Sequence, residues 1–344
     1  MIPQRELCAS RASLKILSIP LLWRTTMNNV SYKEAAAFLL ERDGFVVFTH
    51  GNPDGDTVGS AAALVRCLRG LGKNAVAVCA DPVPRKLLPL VKDGVFAEEL
   101  PENIETAIAV DVASAAMLGG FEEVCGSVCF ELAIDHHKIS TLPCKRRLLM
   151  PDYIANGEII YELMPYLGAK LDRDIAEALY TAICSDSGGF RYSDTRPETY
   201  EYAGELLRTG IDFAEINRRL FEQKTPTQIA LEKAAYASLQ LHYGGKLAVV
   251  AISKDQAEEI GAADSDFDVI NQIPRQILGV EVSAVIRNRG DGAKVSLRSN
   301  EYFDVAELAK NYGGGGHTHA AGYKYNGNVA DAANALITNL DGRL

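Results

Sequence analysis

The sequence predicts an α/β chain: a doubly wound parallel-sheet domain followed by a smaller α/β domain. Three observations predict it. Short apolar runs at 45–49, 74–79, 107–110 and 131–134 alternate with stretches of helical character. Three of these runs stop directly on histidine or aspartate, where open α/β sheets place their ligand sites. Beyond Tyr243-Gly244-Gly245 the rhythm changes, with strands expected at 247–252, 281–287 and 294–299 and a helix at 305–311.

Taken in order, Ser31 and Glu34 form an S-x-x-E capping box that opens a helix over 32–42. The strand at 45–49 runs into His50-Gly51-Asn52-Pro53-Asp54-Gly55-Asp56-Thr57-Val58-Gly59-Ser60, which reads as a tight Pro/Gly turn, and a helix is expected over 60–71, closed by Gly72. The strand at 74–79 leads into a Pro-rich connection at 81–90 with Arg85 and Lys86. The third strand ends on Asp111, and the fourth on Asp135-His136-His137. Helices are expected at 157–167, 172–184, 197–208 and 227–241, with Ser185-Asp186-Ser187-Gly188-Gly189-Phe190-Arg191-Tyr192 between the second and third. The domain boundaries follow: catalytic domain 27–222, a linker helix region 223–245, and a second domain 246–344. Residues 1–26 are basic, acid-poor and hold the sole tryptophan, Trp23. They are expected to be an extension outside the fold, with Met27 as the functional start.

At 344 residues the chain has room for two domains of roughly 100–200 residues each. A net charge of −10 excludes a general basic field for long duplex nucleic acid, so any phosphate must be bound locally. No apolar run reaches membrane-spanning length. The seven cysteines show neither metal-finger nor disulfide spacing, which suits a reducing, cytoplasmic setting.

Of six histidines, His50, His136, His137, His317 and His319 lie in the motifs, and the accompanying acids are Asp54, Asp56, Asp111, Asp135 and Asp186. Each alone has an ordinary explanation: turn chemistry, a helix cap, a buried histidine, an Asx turn. Together, acids crowded at one sheet edge would repel strongly unless cations neutralise them. A pair of divalent ions would also supply an activated water for phosphoester hydrolysis. Removing one such carboxylate is expected to leave the fold nearly intact, because crowded acids do not stabilise the metal-free chain.

H-x-N-P-D-G-D-x-x-G-S, a strand-end Asp, Asp135-His136-His137 and D-S-G-x-F-R resemble, in order and spacing, the motifs of the DHH phosphoesterases. Gly313-Gly314-Gly315-Gly316-His317-Thr318-His319-Ala320-Ala321-Gly322 resembles the signature of the accessory DHHA1 domain. The resemblance runs from about Val30 to the C-terminus and implies an active site in the cleft between the domains. It also implies residue roles. His50 and Asp54 would hold one metal, Asp56, His136 and Asp186 a second, and Asp111 would bridge them. Asp135 would orient a ligand, and His137 would contact the scissile phosphate or protonate the leaving oxygen. Mn²⁺ is the family's usual ion, and histidine ligands disfavour Mg²⁺ alone. Arg191 could reach the same cleft. Arg298, His317 and the amides of Gly314, Gly315 and Gly316 would hold the rest of the substrate; His319 is given no role.

Within the family, the length leaves no room for sensor, OB-fold or transmembrane modules. The resemblance therefore narrows to stand-alone enzymes that release mononucleotides from short RNA oligonucleotides and dephosphorylate 3′-phosphoadenosine 5′-phosphate. Two alternatives stay open: a phosphodiesterase for cyclic di-AMP or the linear dinucleotides pApA and pGpG, and a nucleotide-binding module without catalysis. Nothing in the sequence decides between a monomer and a homodimer.

Overall fold

The structure, a computed structural model, describes residues 28–344. The expected extension at 1–26 lies outside the described residues. The chain divides into two compact units after Glu222.

The first unit holds β1 (Asn28–Asn29), α1 (Tyr32–Glu41), β2 (Phe45–Phe48), α2 (Gly55–Gly70), β3 (Ala75–Val78), β4 (Thr106–Val110), β5 (Phe130–Asp135), β6 (Arg146–Leu149), α3 (Asn156–Leu167), α4 (Arg173–Asp186), α5 (Pro197–Arg208) and the short α6 (Phe213–Asn217). Its six strands run in the order β1-β6-β5-β4-β2-β3, with every pairing parallel. Both faces are covered. Val47, Ile108, Val110, Leu132 and Ile134 pack into one apolar core, and Val46, Phe48, Ala107, Ala109 and Ala133 into another. Burial on two sides explains why β2 reads as an unbroken apolar run, Phe45-Val46-Val47-Phe48. The capping box of Ser31 and Glu34 opens α1, and Asp172 caps α4 through the Ile175 amide.

One expectation fails here informatively. The helix expected from Ser60 begins at Gly55, so only the front of the eleven-residue stretch is a turn. Gly55 and Gly59 lie one turn apart on α2 because α4 passes very close. A Cβ on Gly55 would stand 2.5 Å from the Ser185 side chain, and one on Gly59 would stand 2.4 Å from the Ala178 carbonyl oxygen. Gly157 on α3 meets Ala182 of α4 in the same way, at 2.6 Å. These glycines permit close helix approach rather than tight turning.

The second unit holds α7 (Pro226–Ser238), β7 (Gln240–His242), β8 (Leu247–Ile252), α8 (Lys254–Ile260), β9 (Val282–Arg289), β10 (Gly292–Ser299), α9 (Val305–Lys310), β11 (Gly315–His317), β12 (Ala320–Tyr325) and α10 (Val329–Leu340). Its strand order is β11-β12-β10-β9-β8-β7, antiparallel except for β8 with β9. The stretch 223–245, expected to link the domains, holds α7 and β7. Leu231 and Ala235 of α7 are buried against Val250, Ile252 and Val285 of this sheet. The glycine run is partly an edge strand: Gly315, Gly316 and His317 pair with Gly322, Ala321 and Ala320.

Candidate metal centre

In the first sheet the strand order reverses between β2 and β4, and crevices at such points bind ligands. His50 lies just beyond the carboxyl end of β2, Asp111 follows β4, and Asp135-His136-His137 closes β5. Asp54 caps α2, its Oδ1 accepting from the Thr57 amide at 3.0 Å, and Asp56 sits in the first turn of that helix. Asp186 ends α4. The glycine contacts between α2 and α4 bring these last two elements together.

Three groups of ligand atoms result: His50 with Asp54 and Asp111, Asp56 with His136 and Asp186, and Asp111 with His136 and His137. Asp111 joins them. Its Oδ2 lies 3.4 Å from His50 Nε2, and its Oδ1 lies 3.4 Å from His136 Nε2. His50 Nε2 is also 3.7 Å from Asp54 Oδ1, and His136 Nε2 is 3.6 Å from Asp56 Oδ2 and 3.7 Å from Asp186 Oδ2. These distances are long for hydrogen bonds. They are near the separation of two donors that share one ion through bonds of about 2.1 Å.

The histidines are held for this purpose. The Nδ1 of His50 faces the Gly51 carbonyl at 2.7 Å, and that of His136 faces the Tyr153 carbonyl at 3.1 Å. With Nδ1–H donating to a carbonyl, each ring presents Nε2 as the ligand atom. His137 differs: its Nδ1 lies 2.7 Å from Asp135 Oδ1, and its backbone amide donates to the same oxygen at 3.3 Å. Asp135 thus orients His137 rather than His50 or His136, although the His137 Nδ1 also lies 3.6 Å from Asp111 Oδ1.

Without a cation the charges conflict. Burial works against a charged His50, but Asp111 and Asp54 override it and push its pKa up to about 11. Burial likewise opposes a charged His136, and Asp111 with Asp56 raises it to about 10. Asp111 is buried, which favours its neutral form, yet the two imidazoliums hold it down to about 2. Burial, and then the charge on Asp111, lift Asp56 to about 7; burial and Asp56 lift Asp186 well above the carboxylate range. Asp111 Oδ1 and Asp135 Oδ2 are buried with no hydrogen-bond partner. Asp111 also sits at φ 59°, a left-handed conformation uncommon outside glycine, which costs about 1–3 kcal/mol. Buried acids, an orphaned carboxylate oxygen and two preset imidazoles are a donor set that fits divalent cations.

Comparison with known proteins agrees with this chemistry. Residues 44–183 match the family described as DHH family, N-terminal domain, and residues 244–341 match the DHHA1 domain. Over 290 residues the chain is 34% identical to the bifunctional oligoribonuclease and PAP phosphatase NrnA of Thermus thermophilus, across 83% of this chain and 86% of that one. It belongs to the DHH phosphoesterase family. The Bacillus subtilis protein of the same name is 29% identical, across 81% and 88% of the two chains. The solved structure of an exopolyphosphatase-related protein from Bacteroides fragilis shares the fold, with a TM-score of 0.82 at 23% identity, covering 90% of this chain and 95% of that one.

Two further sets of site residues complete this DHH centre, and the sequence reading missed both. Asp56 is wholly buried and accepts three hydrogen bonds: from Ser60 Oγ at 2.9 Å, the Asn156 amide at 2.7 Å and the Gly157 amide at 3.0 Å. It therefore ties α2 to the start of α3, a structural duty that weighs against the expectation that its removal leaves the fold nearly intact. Tyr153 contributes only its carbonyl. Backbone amides and carbonyls leave no mark in a residue pattern; Ser60, one turn after Asp56, was the one readable signal.

The remaining expected residues lie elsewhere. Arg191 is exposed, with its guanidinium donating to the Gly188 carbonyl and standing over the Phe221 ring. Arg298 is in β10, Gly315, Gly316 and His317 are in β11 and Gly314 just precedes that strand, all in the second unit. No helix among the described residues is long and apolar enough to cross a membrane.

Proposed function

We propose that this chain uses two divalent ions to release mononucleotides from short RNA oligonucleotides, and to convert 3′-phosphoadenosine 5′-phosphate to AMP and phosphate. One observation carries the two-ion reading: the Asp111 carboxylate turns one oxygen to His50 and the other to His136. A carboxylate shared between two ligand groups is what a paired-ion site needs. The substrates are supported by the names of the Thermus thermophilus and Bacillus subtilis relatives.

In this reading His50, Asp54 and Asp111 hold one ion, and Asp56, His136 and Asp186, with Asp111, hold the other. Mn²⁺ is the ion assigned, as the family's usual metal; mixed imidazole and carboxylate donors accommodate it. Bound there, the ions supply neutralisation of the phosphoryl oxygens and an acidified water. His137, fixed at Nδ1 by Asp135, keeps its other nitrogen available to give a proton to the leaving oxygen. Arg191, braced on the loop after Asp186, is assigned to charge on the transferring phosphoryl group. Arg298, Gly314, Gly315, Gly316 and His317 are assigned to the rest of the substrate. The six described cysteines are all free, which fits a cytoplasmic setting.

Cyclic di-AMP and linear dinucleotides stand second as substrates. The Listeria monocytogenes cyclic-di-AMP phosphodiesterase PdeA is 24% identical, and this chain spans 48% of its length. The test is a substrate panel with Mn²⁺, and with chelator as control: di- to pentanucleotide RNAs, 3′-phosphoadenosine 5′-phosphate, cyclic di-AMP and pyrophosphate. Turnover of the first two groups is expected. Turnover of cyclic di-AMP alone would move the enzyme to the second reading, and nucleotide binding without product would overturn catalysis.

A further inference from the structure

Both imidazoles that turn Nε2 toward Asp111 are held at Nδ1 by a backbone carbonyl, and each of those carbonyls belongs to a peptide unit whose N–H is also engaged. The Gly51 carbonyl faces His50 Nδ1 at 2.7 Å, and the amide across the same peptide bond, that of Asn52, donates to Asp81 Oδ2 at 2.8 Å. The Tyr153 carbonyl faces His136 Nδ1 at 3.1 Å, and the amide across that bond, that of Ile154, donates to Glu158 Oε2 at 3.1 Å. Each ring thus leads through one peptide to one carboxylate. Asp81 follows β3 and Glu158 stands in the first turn of α3, so the likeness is one of geometry and not of local sequence.

The two carboxylates differ in setting. Glu158 is wholly buried, which is costly for an anion unless its oxygens are all engaged. Its Oε1 accepts from the Thr199 hydroxyl, and Arg196 Nη2 donates to its Oε2 at 3.1 Å. The Arg196 guanidinium also stands 4.0 Å over the Tyr153 ring, and the Tyr153 hydroxyl donates to Glu162 Oε2 at 2.9 Å. The residue that supplies the carbonyl to His136 is therefore fixed at its ring, its hydroxyl and its following amide. Asp81 is half-buried, and the amide that it holds belongs to Asn52, which turns at φ 51°. An anion that accepts from a peptide N–H polarises that peptide, and the carbonyl at its other end becomes a stronger acceptor. A stronger acceptor at Nδ1–H fixes the ring and makes Nε2 a better donor to a cation.

We propose that Asp81 and Glu158 are positioning residues for the two ions, each acting through a single peptide bond: Asp81 on His50 through Gly51–Asn52, and Glu158 on His136 through Tyr153–Ile154. The inference rests on the two-ion reading above and adds to it two residues that offer no ligand atom. Each carboxylate serves one ion, so the two can be separated by experiment. A purely structural duty, such as tying the loop before α3 to α5, would not respect that division.

The test is a Mn²⁺ titration of the full chain, read by binding heat and by the spin-resonance signal of the free ion, so that affinity is measured apart from turnover. The wild-type chain is expected to take up two ions, and His50→Ala and His136→Ala show which binding step belongs to which group. Glu158→Gln keeps the shape of the side chain and an acceptor for the Ile154 amide but removes the charge. It should weaken the His136 step about tenfold and leave the His50 step within about twofold. Asp81→Asn should do the reverse, with a smaller loss because solvent screens a half-exposed carboxylate. It tests the same relay independently if Glu158→Gln does not fold. Saturating Mn²⁺ should restore most of the turnover in both variants. Unchanged affinities, or equal weakening of both steps by either variant, overturn the proposal, the second because it marks a general loosening of the fold. A wild-type chain that takes up fewer than two ions overturns the two-ion reading itself, a result distinct from either.

Discussion

The two sheets carry opposite loads. In the first, acids and imidazoles from the ends of three parallel strands and two helices converge on Asp111. In the second, Arg298 of β10 pairs with Ala320 of β12 and lies near the charge of Arg275. The first arrangement is in conflict with itself when empty, since burial and mutual repulsion force protons onto groups that would otherwise be charged. The second is half-buried and in milder conflict, since burial and the nearby Arg275 charge lower the Arg298 pKa. Cation sites built this way store electrostatic cost that a ligand relieves, while a half-open anion site stores little. The two should therefore answer mutation differently, one through catalysis and metal-free stability, the other through KM.

The largest contrast should come from Asp111→Asn. Turnover is expected to fall on the order of 10³-fold, while thermal melts in chelator at neutral pH show lower stability, because the depressed Asp111 pKa marks a carboxylate that stabilises the fold through His50 and His136. A variant that keeps wild-type kcat would remove Asp111 from the centre. The next test separates two carboxylates of one ligand group. Asp56→Ala should destabilise the metal-free protein by about 2–3 kcal/mol, since it strands Ser60 and two amides of α3. Asp186→Ala should not destabilise it. Equal melts for the two would mean that the α2–α3 tie carries no weight.

Arg298→Ala should raise KM about tenfold for a short oligonucleotide and leave kcat within a few-fold, as for a group remote from the reacting atoms. A loss confined to kcat would assign Arg298 to the chemistry instead. The smallest expected effect is a pH dependence. His50, His136 and Asp56 all titrate above their ordinary values in the empty site. A raised folded pKa means that the native state holds more protons, so stability is full below the unfolded value and is lost as pH rises through the folded one. For the histidines that window runs from 6.5 up to about 11 and about 10. A divalent ion bound there would replace those protons, so the gain in Tm on adding Mn²⁺ should be larger near about pH 9 than near about pH 6. A gain that shrinks with rising pH would contradict this.

How much of this was readable depends on which atoms do the work. Side chains at strand ends were legible, because a parallel strand is an apolar run and His50, Asp111 and Asp135 interrupt it. The shared sheet edge followed from topology rules alone. What escaped was carried by backbone or by brace. The carbonyls facing His50 and His136, and the α3 amides on Asp56, belong to residues whose identity is nearly irrelevant. Asp81 stands 29 positions from the Asn52 amide that it holds, in a connection with no motif. The start of α2 was misplaced because Pro53-Asp54-Gly55 is also good turn chemistry. The α10 helix went unread, although Asn328 caps it through the Asp331 amide.

Gly59 donates nothing to any cation, yet it sets the gauge of the ligand cage. The absence of one methyl lets α2 and α4 run almost backbone to backbone, and Asp56 and Asp186 ride on those two rods. Alanine at that position would wedge the rods apart at Ala178 and Ala182, carrying Asp56 away from Asp186 although neither carboxylate is itself altered. The spacing of those two carboxylates is thus set from a position that offers no ligand atom.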